Sequence, residues 1–103
     1  MAAKKIKKAE NKESQICIVT VTGQDKVGII ARLSSEMAKA GINIVDVNQK
    51  IMENYFVMTM ACDIAGATVG MKEIKESIAR IAEDMELRIT FQHEDIFAAM
   101  HRV

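Results

Sequence analysis

The sequence contains no proline and no tryptophan, carries no net charge and has no long apolar run. With no Pro-rich, Gly/Ser-rich or low-complexity linker among its 103 residues, the chain has room for one compact core and not for two domains. The 14 basic and 14 acidic side chains cancel, so no overall field draws the protein to nucleic acid or to an anionic membrane. No apolar stretch approaches transmembrane length. We therefore expect one small domain whose partners are neither nucleic acids nor membranes.

The N-terminal segment, residues 1–14, is basic and poor in apolar residues. Four lysines lie among its first eight residues, but no apolar region follows them, so the segment does not match a secretory signal. Its composition predicts a flexible tail that either keeps the protein soluble or weakly anchors an anionic partner.

The rest of the chain shows two periodicities, which predict four strands and two helices. Strand-like patterns cover 16–22, 42–51, 55–64 and 87–91. The first has apolar residues on both faces, which indicates a central strand, and polar residues at 46 and 48 leave the register of the second open. Apolar residues recur at helical spacing from Ile30 to Gly41, which takes the C′ position, and from Met71 to Met85, where Thr68 is the expected cap. The order β-α-β-β-α-β with right-handed crossovers places both helices on one face of a four-stranded antiparallel sheet. This is an α+β fold of the ferredoxin-like type.

The domain is expected to span residues 15–92, followed by a C-terminal tail of residues 93–103. Helical spacing of apolar residues around Ile96 predicts that this tail forms one or two helical turns and docks on an apolar surface. The tail also gathers His93, Glu94, Asp95 and His101. Their spacing is not that of a helical His pair at i, i+4, so we expect neither a metal site nor a cofactor.

One face of the predicted sheet is left without helices. Ile16, Ile18 and Val57 point to that face, and something must cover them. A partner subunit, the tail or both would do so. We expect a homodimer, and closure of the face by the tail within a monomer is the alternative.

The two cysteines lie inside apolar strand-like runs and not in a Cys-rich framework, which fits a reducing compartment and a cytoplasmic location. If the first and third strands are antiparallel neighbours with Val21 opposite Met58, Cys17 lies opposite Cys62 on the helix-facing side. The pair is then either two buried inert thiols or a redox switch, which would need exposure and a lowered pKa.

Several functions of this fold are excluded by what the sequence lacks. A metal chaperone needs two thiolates in the first loop, and residues 24–28 contain no cysteine. RNA recognition needs exposed aromatic residues on the central strands, and aromatic residues make up only 4% of the chain. A phosphatase needs a basic cradle in the first loop, where Lys26 is the only cation. Since no nucleophile stands beside a base, we expect no enzyme active site.

The first loop supports two interpretations. Its glycines permit close approach, and the free N–H groups at the head of the first helix favour an anion such as a ligand carboxylate. Alternatively the loop is purely structural: Gly23 serves the turn, Asp25 caps the helix and Gly28 lets the helix pack tightly on the sheet.

Over residues 15–92 the sequence resembles an ACT domain, both in the order of its elements and in the stretches ICIVTVTG (16–23), DKVGII (25–30) and AGINI (40–44). The closing stretches HEDIF (93–97) and MHR (100–102) resemble the uncharacterised family of free-standing ACT-domain proteins, which is related to the glycine cleavage system transcriptional repressor group. The resemblance implies a stand-alone regulatory sensor without a catalytic domain.

The resemblance further implies a small ligand, typically an amino acid, held at an interface between two ACT domains. Gln24, Asp25 and Gly28 would face the ligand from one protomer and Asn43 from the other. Where ACT loops often have proline before the glycine, this chain has Val27. For Asn43 a hydrogen-bonding role at a helix-to-strand turn is the alternative. For the whole protein the alternative is a protein-interaction module with no metabolite ligand.

Overall fold

The computed structural model describes residues 14–100, which form a four-stranded sheet and three helices. The strands are β1 (Ile16–Gln24), β2 (Asn43–Met52), β3 (Tyr55–Asp63) and β4 (Arg88–His93), and the helices are α1 (Ile29–Lys39), α2 (Met71–Met85) and α3 (Glu94–Met100). The strands pair antiparallel in the order β2-β3-β1-β4. The predicted α+β, ferredoxin-like fold is confirmed. The basic segment predicted for residues 1–14 lies almost entirely outside the described residues, as does His101.

The core lies between one sheet face and the stripes of α1 and α2. Strict alternation along β1 and β3 turns every second side chain towards the helices. Each helix contributes apolar residues one turn apart, which is the period that keeps them on one face. The buried residues of these four elements include Val19, Val21, Met58, Met60, Leu33, Met37, Ile74 and Ile78. The expected pairing of Val21 with Met58 and of Cys17 with Cys62 is confirmed.

The opposite sheet face carries Ile16, Ile18 and Val57, all half-buried. Helix α3 contacts β1 and β4, and the Nε2 of Gln92 donates to the sulfur of Met100 at 3.0 Å. None of residues 94–100 is buried, and Met100 stays 62% exposed. The helical tail therefore touches the sheet without burying any of its own residues.

Both long helices end in the same hydrogen-bonded motif. After α1, the N–H of Gly41 donates to Ala38 O at 3.1 Å and the next N–H reaches back five residues to Met37 O at 2.9 Å. After α2, Glu86 occupies the equivalent position. Both C′ residues are left-handed, with φ of 73° at Gly41 and 55° at Glu86. This is the Schellman motif, and the predicted role of Gly41 is observed.

The start of α2 differs from the prediction. The N-cap is Gly70 and not Thr68, and the carboxylate of Glu73 accepts the Gly70 N–H at 3.3 Å. The backbone N–H of Thr68 instead donates to the carbonyl of Ala40 at 2.8 Å. Thr68 therefore connects the preceding loop to the end of α1. Helix α2 starts two residues later than it would with Thr68 as its N-cap.

Candidate functional site

The first loop, residues 25–28, joins β1 to α1 and is held against the hairpin between β2 and β3. The N–H of Asp25 donates to the carbonyl of Asn54 at 2.8 Å. Asn54 and Glu53 form the hairpin turn, and Glu53 has a left-handed φ of 59°. This single backbone bond makes the loop and the hairpin tip one structural unit.

Helix α1 begins without a side-chain cap. Its N-cap is Gly28, with φ of 91°, and its first turn contains no acidic residue. The interpretation in which Asp25 caps the helix is wrong, because the Asp25 backbone is bonded to the hairpin three residues before the cap. Tight packing at Gly28 is also wrong, since nothing lies within 4 Å of where its Cβ would stand. Glycine is favoured there by its positive φ, and it leaves the first-turn N–H groups without a side-chain acceptor.

A cavity of about 300 Å³ opens beside this loop. Its rim carries one acid and one base, Asp25 and Lys26, together with the backbone of Gly28. Its walls come from the first turn of α1 and from both strands of the hairpin, and are formed by Ile29, Ile30, Ala31, Gln49, Ile51 and Phe56. The volume is at the lower end of the roughly 300–1,000 Å³ of small-molecule sites. A small ligand with both charges and an apolar part fits this lining.

The cavity opens at an exposed edge of the sheet. Strand β2 is an edge strand, and all of its residues except Ile44 are exposed. Val27 in the loop is 100% exposed, and Ile30 and Ile51 beside it are about half exposed. Exposed apolar residues therefore surround the mouth of the cavity.

The structure brings together two of the four predicted site residues. Asp25 and Gly28 line the cavity. Gln24 ends β1 opposite Tyr55 and is not among the lining residues. Asn43 lies at the far end of the sheet, opposite Asp63. Eight residue steps along β3 separate these two positions, which is about 27 Å. Within one chain, Asn43 cannot reach the loop.

The walls of the cavity, above all Ile51 and Phe56, were not predicted from the sequence. These two residues are paired across the hairpin. The predicted strand ends at 51 and 55 leave a three-residue turn, which would set Ile51 opposite Tyr55. The turn has only two residues, Glu53 and Asn54, and it sets Ile51 opposite Phe56 on the helix-facing side. The signal that could have added them is the register of this hairpin, combined with the adjacent loop.

The C-terminal group of ionisable residues is held by local contacts. The Nδ1 of His93 accepts the backbone N–H of Asp95 at 3.1 Å. Glu94 and Asp95 occupy the first turn of α3, where a negative charge suits the helix dipole. Across residues 14–100, no three His, Cys, Asp or Glu side chains are arranged to hold a metal ion.

The ACT domain profile matches residues 15–92, which are three quarters of the chain and include every strand residue of the sheet except His93. The chain belongs to the ACT domain family. ACT domains are regulatory ligand-binding modules. The protein is 46% identical over 86 residues to a UPF0237 protein of Listeria monocytogenes, which covers 84% of this chain and 97% of that one.

Solved structures agree with this assignment. An ACT domain protein from Streptococcus pneumoniae superposes with a TM-score of 0.69 at 27% identity, covering 82% of this chain and 96% of that one. A candidate glycine cleavage system transcriptional repressor superposes with a TM-score of 0.68 at 19% identity, covering 78% of this chain and 45% of that one. The second likeness shows the fold alone. Within the described part of this ACT domain, no helix has the length and apolar character needed to span a membrane.

Proposed function

We propose that this ACT domain is a regulatory sensor whose ligand is an amino acid, bound in the first-loop cavity at the interface of a homodimer. The cavity itself carries this proposal, because it sets one acidic and one basic side chain above an apolar wall in about 300 Å³. Among its lining residues there is no serine, cysteine or histidine, which supports binding and not catalysis.

The lining matches the chemistry of a free amino acid. Lys26 and the uncapped N–H groups of α1 would receive the carboxylate, since both present positive charge or its equivalent. Asp25 would receive the ammonium group. Ile51 and Phe56 would pack on an apolar side chain.

The edge of β2 supports dimerisation. No strand of the described chain pairs with its outer side, and together with its exposed apolar residues this forms an edge that natural proteins usually protect. Antiparallel pairing of two β2 strands about a two-fold axis at Asn48 would place Asp46 opposite the partner's Lys50. Symmetry repeats the pair, so two opposite-charge contacts favour this register.

The same register explains how Asn43 would reach the ligand. Asn43 lies beyond the irregularity of β2 between Ile44 and Asp46. In this arrangement it would lie beside the partner's hairpin turn, whose Asn54 carbonyl accepts the Asp25 N–H. A residue about 27 Å from its own loop thereby approaches the loop of the other protomer. This agrees with the division of site residues implied by the family resemblance.

Ligand binding is tested by thermal shift with the twenty common amino acids. A ligand at 100 times its Kd would add about 2.7 kcal/mol to the free energy of unfolding. We expect one class of amino acid to raise Tm, with the rise lost in Asp25→Ala and Asn43→Ala and kept in Lys72→Ala, a matched change on the exposed face of α2. No rise with any amino acid, with the dimer intact, would instead favour a protein-interaction module.

The dimer is tested separately by analytical ultracentrifugation. We expect Asp46→Lys and Lys50→Asp each to weaken the dimer through like-charge contacts, and the double variant to restore it because the two charges are exchanged. A monomeric wild type would contradict the dimer. A double variant as weak as either single one would contradict the register.

A further inference from the structure

A second cavity, of about 260 Å³, lies at the end of the sheet away from the first loop. It is bounded by the start of α2, the end of β4 and helix α3. Cys17 contributes to it from β1, and six residue steps along that strand separate Cys17 from Gly23, which is about 20 Å. The two cavities have no lining residue in common. A ligand of one would therefore leave the other free.

The walls of this second cavity are mainly apolar, and are formed by Cys17, Met71, Phe91 and Ile96. Cys17 is fully buried and Phe91 half-buried, so these two form the floor. Met71 is 39% exposed and Ile96 55% exposed, which places them at the mouth. Because burial raises the pKa of the Cys17 thiol, this residue acts as an apolar surface and not as a nucleophile.

One cation, Lys75, stands beside this apolar interior. It lies one helical turn after Met71 on α2 and is exposed. After burial, which raises the pKa of the Cys17 thiol, Lys75 lowers that pKa more than Glu94 on α3 raises it. The charges around the floor therefore favour an anion. Within residues 14–100, Lys75 forms no ion pair, so its ammonium group is available to a ligand.

His93 supplies a hydrogen-bond donor next to this cation. Its Nδ1 accepts the backbone N–H of Asp95 at 3.1 Å, so the neutral ring carries its proton on Nε2. The remaining polar residue of the lining, Gln92, is uncharged. No acidic residue lines the cavity, since Glu94 and Asp95 begin α3 outside it. The lining thus suits a carboxylate and offers no carboxylate to an ammonium group.

We propose that this cavity is a second binding site, for a small organic monocarboxylate with an aromatic body. Lys75 and the Nε2–H of His93 receive the carboxylate. The body packs on Phe91 and Met71, since rings and thioethers make favourable contacts with aromatic groups. The volume lies just below the roughly 300–1,000 Å³ of most small-molecule sites, which restricts the ligand to a small one. The first-loop cavity, with both an acid and a base on its rim, suits a zwitterion instead.

The test titrates isotope-labelled protein with phenylacetate and follows the backbone amide signals by NMR. Phenylacetamide, which has no charge, and phenylalanine, which adds an ammonium group, are the control ligands. We expect phenylacetate to shift the signals of residues 71–75 and 91–96, to bind there more tightly than either control, and to leave residues 25–28 unchanged. No shift at 71–75 and 91–96, or equal binding of phenylacetamide there, would overturn the proposal. Amino-acid binding at the first loop is read from other signals, so either proposal can fail alone.

Two pairs of variants test the role of charge. Lys75→Gln should weaken phenylacetate binding about tenfold, as expected for the loss of one charge-assisted hydrogen bond. Lys72→Gln, a matched change on α2 outside the lining, should leave it unchanged. Ile96→Glu places a negative charge at the mouth and should weaken binding more than Ile96→Gln, which has the same shape.

The altered side chains are exposed and α3 buries none of its residues, so all four variants should keep the amide spectrum of the folded sheet. Equal affinities of Lys75→Gln and Lys72→Gln for phenylacetate would overturn the site, as would equal affinities of the two Ile96 variants.

Discussion

Glu86 occupies a position where glycine is favoured, and Glu86→Gly is expected to stabilise the protein. The φ of 55° places this residue in the left-handed region, which costs a non-glycine residue about 1–2 kcal/mol. Glycine has greater conformational freedom in the unfolded chain, which lowers the free energy of unfolding by about 0.5–1 kcal/mol. The net gain is about 0.5–1 kcal/mol. For a domain of this size that corresponds to a rise in Tm of about 2–8 °C.

The assay is thermal and urea unfolding of matched variants. Glu86→Ala removes the same negative charge from the C-terminal end of α2 but keeps a Cβ, so it separates the charge from the conformation. Gly41→Ala is the reverse change at the same position of α1. Its Cβ would meet the Gly66 carbonyl oxygen at 2.9 Å, so we expect a loss of about 2 kcal/mol or more. The reasoning is refuted if Glu86→Gly is no more stable than Glu86→Ala.

Three further predictions concern the core, the surface and pH. Leu33→Ala removes a fully buried side chain and should lower the free energy of unfolding in urea by about 3 kcal/mol. Arg32→Ala breaks the 2.9 Å ion pair with Asp84, but both side chains are well exposed, so the loss should stay below about 1 kcal/mol and shrink in high salt. The Cys62 pKa rises from 9.0 to about 11 on folding. The stability that the protonated Cys62 thiol contributes is therefore complete below pH 9 and is lost as pH rises through 11. Stability should therefore fall over this interval and fall less in Cys62→Ala.

The alternation of apolar residues was enough to predict the sheet and its central pairing, because a one-residue slip would turn every core side chain of β1 to solvent. The ends of elements were less accurate. Strand β1 continues past Gly23 to Gln24 because Tyr55 pairs with Gln24 across the hairpin. Threonine often caps helices, but Thr68 does not cap α2, and its backbone N–H donates to the carbonyl of Ala40 at the end of α1. Such competition depends on tertiary contacts that a local pattern does not contain.

In the candidate site too, local sequence patterns identified some residues, and tertiary contacts decide the others. Asp25 and Gly28 were recognisable because loop residues carry their own signal in glycine and charge. Ile51 and Phe56 read only as strand residues, and their part in the cavity follows from hairpin register and from the bond between Asp25 and Asn54. The conformational reason for Gly28 was also inaccessible, since a glycine chosen for positive φ and one chosen for close packing look alike in a sequence.

In the proposed dimer, the distance of Asn43 from its own loop would link dimerisation to ligand binding. If each ligand contacts the loop of one protomer and Asn43 of the other, the two-fold dimer holds two such sites. Saturating ligand must then tighten the dimer by the square of the factor by which dimerisation tightens the binding of each ligand. Sedimentation across a protein dilution series, with and without ligand, measures the first factor, and calorimetry at high and low protein concentration measures the second. For the shared site we expect both factors to exceed one and the first to equal the square of the second. A ligand that binds equally well at all protein concentrations would occupy the Asp25 loop of a single chain, and Asn43 would then serve only the turn between α1 and β2.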